Sequence, residues 1–482
     1  MKSNYILCSL LLLSATMASC QKKNNRDISN PPVSPPVTTP LKTDVAFWLT
    51  QGDGSVQFQQ QRVSLLFSSE TNSNTTITVD TTQTYQQIDG FGYTLTGGSA
   101  THINSLPAAE QDALLKELFL TDSTHIGVSY LRISIGASDL SASPFTYNDL
   151  APGETDMTLQ RFSIDKERED LIPVLKKIVA LFPDIKILGS PWSAPVWMKS
   201  NNSFVGGSLL PAYYSVYAQY FVKYIKAMKA EGITIDAITP QNEPLHGGNN
   251  PSMVMQATEQ ADFIKNHLGP AFRNNNISTK IIVYDHNADR PDYPLTILAD
   301  PDARQYVDGS AFHLYGGQIS ALSQVHLAYP DKNVYFTEQW VGGPGNFGGD
   351  LQWHVENLII GATRNWSRNV LEWNLAADQA YKPYTNGGCN TCLGALTIGG
   401  GVKRNVSYYI IAHASKFVRP GSVRVASDQT GNLLTVAFRN PEGKKVLIVL
   451  NKGNAPAVFN IGFKNRYVTT SLNNGSVGTY VW

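Results

Sequence analysis

The chain has 482 residues, with 38 Lys and Arg against 38 Asp and Glu and a formal net charge of zero. That balance gives no electrostatic case for nucleic acid or an anionic membrane surface as a partner, and the length removes any need for a disulfide scaffold in place of a core. Aromatic residues make up 10%, including 22 Tyr and 8 Trp, a content that suits stacking on sugar faces and is also that of an ordinary large core.

The chain opens on "MKSNYILCSLLLLSATMASC", one lysine, an apolar stretch and small residues. It is too short for a permanent membrane span and reads as a secretory signal over 1–20. Its last four residues resemble a bacterial lipobox, so Cys20 is the expected lipidated N-terminus after cleavage, with a plain signal peptide as the alternative. Gln21 in place of Asp leans the destination toward the outer membrane, and a lipid on Cys20 is the only membrane contact expected. Residues 21–43 carry five prolines between Pro31 and Pro40 and almost no large apolar side chains. This predicts an extended tether that reaches roughly 60 Å, at ~3.1 Å per residue.

Residues 44–84 are strand-like and punctuated by Gly and Asn, and so are the segments after 421. The first stretch is too short to bury a core alone. The expectation is one β-sandwich built from both chain ends, 44–84 and 406–482, beside a domain spanning 85–405. Within that domain, eight short continuous apolar runs recur: 87–96, 128–136, 185–193, 235–243, 280–287, 309–316, 333–340 and 369–376. Continuous runs are the mark of strands buried on both faces. Between them lie helical patterns such as "AAEQDALLKELF" (108–119), 166–182 and 213–232, with apolar residues at three- and four-residue spacing. Strand and helix alternating eight times predict an α/β fold, a (β/α)8 barrel. Of the four cysteines, Cys8 leaves with the leader and Cys20 takes the lipid. The remaining pair, Cys389 and Cys392 in "CNTC", is open to three readings: redox dithiol, half of a zinc site, or loop disulfide. No second pair completes a zinc site, and outside the cytoplasm a disulfide is expected.

Barrel active sites lie at the C-terminal strand ends. There "TPQNEP" places Glu243 at the end of the fourth run, and "VYFTEQW" places Glu338 at the end of the seventh. Strands four and seven face each other across a barrel mouth. Two carboxyl groups about 5–5.5 Å apart hydrolyse a glycosidic bond with retention. One attacks the anomeric carbon, while the other protonates the leaving oxygen and then activates water. Two unrelated strand-end charges are the alternative. No cluster has convincing metal spacing and no glycine-rich loop sits where a nucleotide binds, so neither metal nor cofactor is expected.

The segments "IDGFG" (88–92), "LRISIGASDLSASPFTYND" (131–149), "SPWSAPVWMK" (190–199), "TPQNEP", "FHLY" (312–315), "FTEQW", "WNL" (373–375) and "YYIIAHASKFVRPGSVRV" (408–425) together resemble glycoside hydrolase family 30. This is the family of glucosylceramidase and of bacterial β-glucanases and xylanases. The resemblance runs from about residue 44 to the end and implies a barrel with a β-sandwich from both termini. It implies Glu243 as acid/base and Glu338 as nucleophile. Asn242 is placed to bond the sugar 2-hydroxyl, and Arg132, at the end of the second strand, to keep Glu338 ionised. The Glu338 charge then raises the Glu243 pKa. Trp192, Tyr315 and Trp373 fall on positions lining the subsite for the cleaved sugar. Trp197 and Trp340 are open between cleft and core. His313 is expected to orient a neighbour, and Asp285 and His286 to stand behind the site.

One departure bears on substrate. Where many members read "FGG..TDA", this chain reads "FGYTLTGGSA", and the family's Asp falls on Gly97. Loss of a carboxylate that grips the outer hydroxyls of a terminal glucose leaves room for a chain continuing through its 6-oxygen. The expectation is a monomeric endo-β-1,6-glucanase acting on β-linked glucan. Glucosylceramidase or another β-glucosidase is the alternative, then xylanase, with a glycan-binding lipoprotein as the non-enzymatic reading.

Overall fold

The structure, a computed structural model, describes residues 41–482. The leader, Cys20 and the proline-rich tether up to residue 40 lie outside the described residues. Eight parallel strands close a barrel: β1 Gly90–Thr94, β2 Tyr130–Ser134, β3 Lys186–Ser190, β4 Ala237–Ile238, β5 Lys280–Ala288, β6 Val307–Gly317, β7 Asn333–Glu338 and β8 Ser367–Asn374, with β8 returning to β1. Each falls on one of the eight apolar runs, with β5, β6 and β8 reaching one or two residues beyond the expected bounds. The helix Ala108–Phe119 has the predicted bounds, and Leu171–Leu181 and Tyr214–Ala230 fall inside the other two predicted segments. The second glycine of "IDGFG" has a steric reason: a Cβ on Gly92 would sit 1.9 Å from the Tyr130 carbonyl oxygen, so only glycine lets β1 lie against β2.

Side chains alternate across a strand with period two, and the barrel interior is therefore layered. The lower layer is apolar: Tyr130, Leu188, Ala237, Ile282, Ala311, Tyr335 and Leu371, one from each of β2 to β8. Two residues further along come Arg132, Ser190, Thr239, His313, Thr337 and Trp373. A polar layer thus rests on an apolar plug at the mouth of the barrel. Only β5 breaks the count. Tyr284 and Asp285 both have positive φ, 76° and 62°, and the β5–β6 register shifts there. This bulge turns Asp285, rather than Tyr284, into the ring.

The second module is a nine-stranded sheet in the order Gln59–Gln60, Ala46–Thr50, Val477–Val481, Lys445–Asn451, Leu433–Arg439, Val423–Ser427, Thr75–Gln87, Ala457–Phe463, Arg466–Leu472. Strands from both chain ends interleave in it. Thr75–Gln87 pairs antiparallel with Val423–Ser427 and, over residues 75–78, parallel with Ala457–Phe463, so one strand joins two layers around a separate core. It runs three residues past the expected boundary at 84. The helix Val406–Ser415, expected in the sandwich, packs on the barrel: Tyr93 of β1 donates its hydroxyl to the Ser407 carbonyl at 3.1 Å. Its other side meets the sandwich, where the His413 ring bridges Thr50 and Thr479, each at 2.8 Å. Among the described residues no helix is long and apolar enough to cross a membrane.

Candidate active site

The polar layer is one connected network with Asp285 at its centre. Its Oδ2 accepts from Arg132 at 2.7 Å, Ser190 at 2.7 Å and Thr239 at 2.9 Å. Its Oδ1 accepts from Thr337 at 2.6 Å and contacts His313 Nε2 at 3.1 Å. Arg132, fully buried, reaches upward to Glu338 Oε2 at 2.5 Å and to Asn242 Oδ1 at 2.5 Å. The Arg132 guanidinium lies 4.8 Å from the Trp192 ring and 5.8 Å from that of Trp373, and such planar stacking suits arginine. Arg132 sits in the middle of β2, not at its end as the sequence suggested; its length carries the charge from the ring to the mouth.

Glu338 is the last residue of β7, but Glu243 lies beyond β4, which stops at Ile238. The intervening residues keep an irregular ladder, Thr239 N–H to Gly189 O, Asn242 N–H to Pro191 O and Glu243 N–H to Asp285 O, at 2.8 to 3.0 Å. Glu243 itself has φ 45°, a left-handed conformation that non-glycine residues adopt at a cost and often at functional sites. The result brings the two carboxylates together. An oxygen of Glu243, an oxygen of Glu338 and a ring nitrogen of His313 all lie within 4.8 Å of one another, the close spacing that retention requires and too close for the water of an inverting enzyme. The charge of Arg132, paired with Glu338, opposes a cation among the three.

Burial pushes the His313 imidazole down, but the charges of Glu338, Asp285 and Glu243 outweigh it and lift its pKa to about 9. Burial also pushes both glutamates up. At Glu243 the hydrogen bond and charge of His313 outweigh burial and draw the carboxyl below its ordinary value. At Glu338 burial, with the charges of Glu243 and Asp285, outweighs His313 and Arg132 and holds it above. The sequence expectation gave His313 only an orienting role, but its charge reverses the expected order in the free site. The hydrogen bonds weigh the other way. Glu338 accepts from Arg132 at 2.5 Å and Tyr315 at 2.9 Å, whereas Glu243 has one contact, to His313 Nδ1 at 3.3 Å. Arg132 is a permanent cation, while the His313 proton lies on the Glu243 contact. Passing it across leaves a neutral acid at Glu243, a neutral imidazole and an anionic Glu338 against Arg132. That is the state an acid role for Glu243 requires.

The pocket above measures about 350 Å³ and is lined by Trp192, Asn242, Glu243, Tyr315, Glu338 and Trp373 among others. Asn242 spends its oxygen on Arg132, so its NH₂ is the group left for a sugar hydroxyl. Trp192 and Trp373 pack together with centroids 5.4 Å apart, while the Tyr315 ring is 40% exposed. Trp340 lines the pocket, and so does His286. Trp197 is core, its Nε1 bonded to Asn148. Cys389 and Cys392 are disulfide-bonded at 2.04 Å and stand on the rim.

Sequence reasoning missed Asp139. It is buried in the pocket wall, its carboxyl pushed up to about 7 by burial and by the charges of Glu338 and Glu243, and it accepts the Cys389 N–H at 3.2 Å. Gly97 does not line the pocket. It begins the helix Gly97–Asn104, and a Cβ there would meet Ser141 Oγ at 3.3 Å. The pocket wall nevertheless carries a carboxylate of its own, that of Asp139. The signal was in the quoted segment "LRISIGASDL", but a loop has no periodicity to point with. His246 and Asn249 also line the pocket unforeseen.

Paired glutamates at this spacing on the C-terminal face of a (β/α)8 barrel define a retaining glycoside hydrolase. Residues 88–418 match the glycosyl hydrolase family 30 TIM-barrel domain and residues 421–480 the family 30 beta sandwich domain; the chain belongs to glycoside hydrolase family 30. It is 36% identical over 433 residues to an endo-1,6-beta-D-glucanase of Neurospora crassa, covering 84% of this chain and 86% of that one. It is 27% identical to the lysosomal acid glucosylceramidase of Mus musculus, covering 87% and 86%. Among solved structures, the endo-beta1,6-glucanase BT3312 superposes with TM-score 0.85 at 37% identity, over 92% of this chain and 99% of that one.

Proposed function

We propose that the protein is an endo-acting β-1,6-glucanase that works by retention, as a monomer. Glu338 attacks the anomeric carbon as Glu243 gives its proton to the departing glycosidic oxygen, which leaves as an alcohol. The glycosyl ester so formed removes the Glu338 charge. Glu243, now a carboxylate, takes a proton from water, whose oxygen attacks the same carbon and expels Glu338 with the original configuration restored. Arg132 and Tyr315 hold Glu338 as an anion for the first step and as a leaving group for the second. The carboxylate pair carries the reaction class. The linkage is supported by relatives: endo-1,6-beta-D-glucanases match at 35–36% identity, and glucosylceramidases at 27–31%.

The test compares rates on linear β-1,6-glucan, xylan, an aryl β-glucoside and glucosylceramide. Short oligosaccharides released from the first polymer are expected, and cleavage of glucosylceramide without the polymer rejects the assignment. The sequence of residues 1–20 further supports export with a lipid on Cys20, in the cell envelope and toward the outer membrane. Labelled palmitate entering the wild-type protein and not Cys20→Ser is the outcome that reading requires.

A further inference from the structure

A two-stranded strap stands beside the catalytic pocket. Val341–Gly342, just after β7, pairs antiparallel with Cys392–Leu393, and the Gly343 N–H donates to the Thr391 carbonyl at 2.7 Å. On one side of it, Trp340 and the disulfide wall the catalytic pocket. On the other lies a second, larger groove of about 890 Å³, which the mechanism does not use. Its volume is within the range of ligand sites. The side chains facing it include Tyr381, Asn346, Asp350, Asp378, Lys403 and, from the sandwich module, Gln57.

The strap's glycines hold an aromatic ring on each side. A Cβ on Gly342 would lie 3.2 Å from the Trp340 ring, and one on Gly343 would lie 2.4 Å from the Tyr381 ring. Successive Cα atoms are ~3.8 Å apart, so the two basins abut across a single strand. Tyr381 has φ 61°, and its N–H donates to the Asp378 carbonyl at 3.1 Å. The Asp378 carboxylate in turn accepts the N–H groups of Ala380 and Lys382 at 2.7 and 2.8 Å, which fixes the loop that presents the ring. Among the described residues, the Tyr381 hydroxyl and the Lys403 ammonium make no hydrogen bond to the protein and remain available to a ligand. A half-exposed ring beside an amide, two carboxylates and an ammonium matches a neutral, polyhydroxylated ligand. The ring takes C–H faces, the carboxylates accept from hydroxyls and the ammonium donates to them. An apolar ligand would strand those polar groups.

We propose that this groove is an outer glucan-binding site, which holds a remote stretch of the same polymer chain whose scissile bond lies in the catalytic pocket. It rests on the β-1,6-glucanase reading, and the test separates the two. Tyr381→Asn removes the ring while keeping a residue that tolerates left-handed backbone; Lys403→Ala is the second variant, and melting curves confirm that both are folded. In the Glu338→Gln background, affinity electrophoresis in gels containing linear β-1,6-glucan should show the parent retarded and both variants released. In the active protein, KM on the polymer should rise about tenfold for Tyr381→Asn, as for loss of a contact worth ~1.4 kcal/mol. KM on an aryl glycoside of the β-1,6-linked disaccharide, which is too short to cross the strap, is the internal reference. If the wild type cleaves the polymer and the folded variants match it in retardation and in the ratio of the two KM values, the outer site is refuted. If the wild type neither binds nor cleaves β-1,6-glucan, the substrate assignment falls, and this site with it.

Discussion

Asp285→Asn removes the charge at the centre of the polar ring without changing its shape. The carboxylate has five partners, Arg132, Ser190, Thr239, His313 and Thr337, at 2.6 to 3.1 Å. An asparagine has one acceptor oxygen, so in either orientation its NH₂ faces at least the Thr337 and His313 pair or the Arg132, Ser190 and Thr239 set. Removing one partner of a buried ion pair costs about 3–5 kcal/mol. Arg132 keeps Glu338, so the lower end applies: about 3 kcal/mol and a fall in Tm of roughly 6 °C, taking ~2 °C per kcal/mol for a large domain. The pH dependence should change as well. His313, lifted to about 9, stabilises the fold fully below its unfolded value near ~6.5. That contribution is lost as pH rises through 9, up to ~3 kcal/mol at ~1.36 kcal/mol per pH unit. Without Asp285 the imidazole is less raised, and the decline between pH 6.5 and 9 should shrink. Asp285, held well below the ordinary carboxylate value by Arg132 and His313 against burial, contributes in the opposite window. Its stabilisation is present above ~3.9 and lost in acid, so the variant should also lose less on acidification. Activity should fall about a hundredfold, since displacing Arg132 by even ~1 Å misplaces the nucleophile. The assay is thermal melting at neutral pH, denaturant unfolding across pH 3 to 9.5, and kcat on the polymer. A variant with wild-type Tm and an unchanged pH slope refutes the role given to Asp285.

Glu338→Ala should abolish hydrolysis of every substrate. Glu243→Ala should lose ~10²–10⁴-fold on glucan but far less on an aryl glycoside whose leaving group needs no proton; equal losses on the aryl substrate reject the assigned roles. The first product should be the β-anomer by NMR, and an α-anomer from a β-linked substrate overturns retention. Replacing Cys389 and Cys392 by Ser opens a loop of only two intervening residues, so Tm should move by a few degrees at most. KM should nevertheless rise several-fold, because Cys389 N–H holds Asp139 and Cys392 anchors the strap; an unchanged KM in a variant shown by mass spectrometry to carry no disulfide refutes that link.

The barrel was legible because each parallel strand is covered on both faces and spells itself as a mostly apolar run; β1 and β2 are buried at every position. Glu338 was legible as well, since it is the last residue of β7 and closes an apolar run, although the ladders to β6 and β8 shift register on the way to it. Glu243 does face the pocket, but not as the end of a strand: β4 ends five residues earlier, and the chain reaches the pocket through irregular backbone that no periodicity describes. Arg132 was assigned the right partner from the wrong place, because a mid-strand arginine can span the distance from ring to mouth. Asp139 and the surroundings of Gly97 were the least legible. Both lie off the strands, on a loop and at a helix start, where the neighbours that decide what a side chain faces come from remote segments: Cys389 against Asp139, Ser141 against Gly97. The polar ring itself follows a simple rule that sequence could have supplied. Adding two to each plug residue gives Arg132 from Tyr130, Ser190 from Leu188, Thr239 from Ala237, His313 from Ala311, Thr337 from Tyr335 and Trp373 from Leu371. Ile282 alone yields the wrong residue, Tyr284, because two successive left-handed residues insert a bulge that a period-two count cannot see. The exception falls at a position where the ring needs a charge to balance Arg132, so the irregular backbone of β5 is what sets a carboxylate at the centre of the site.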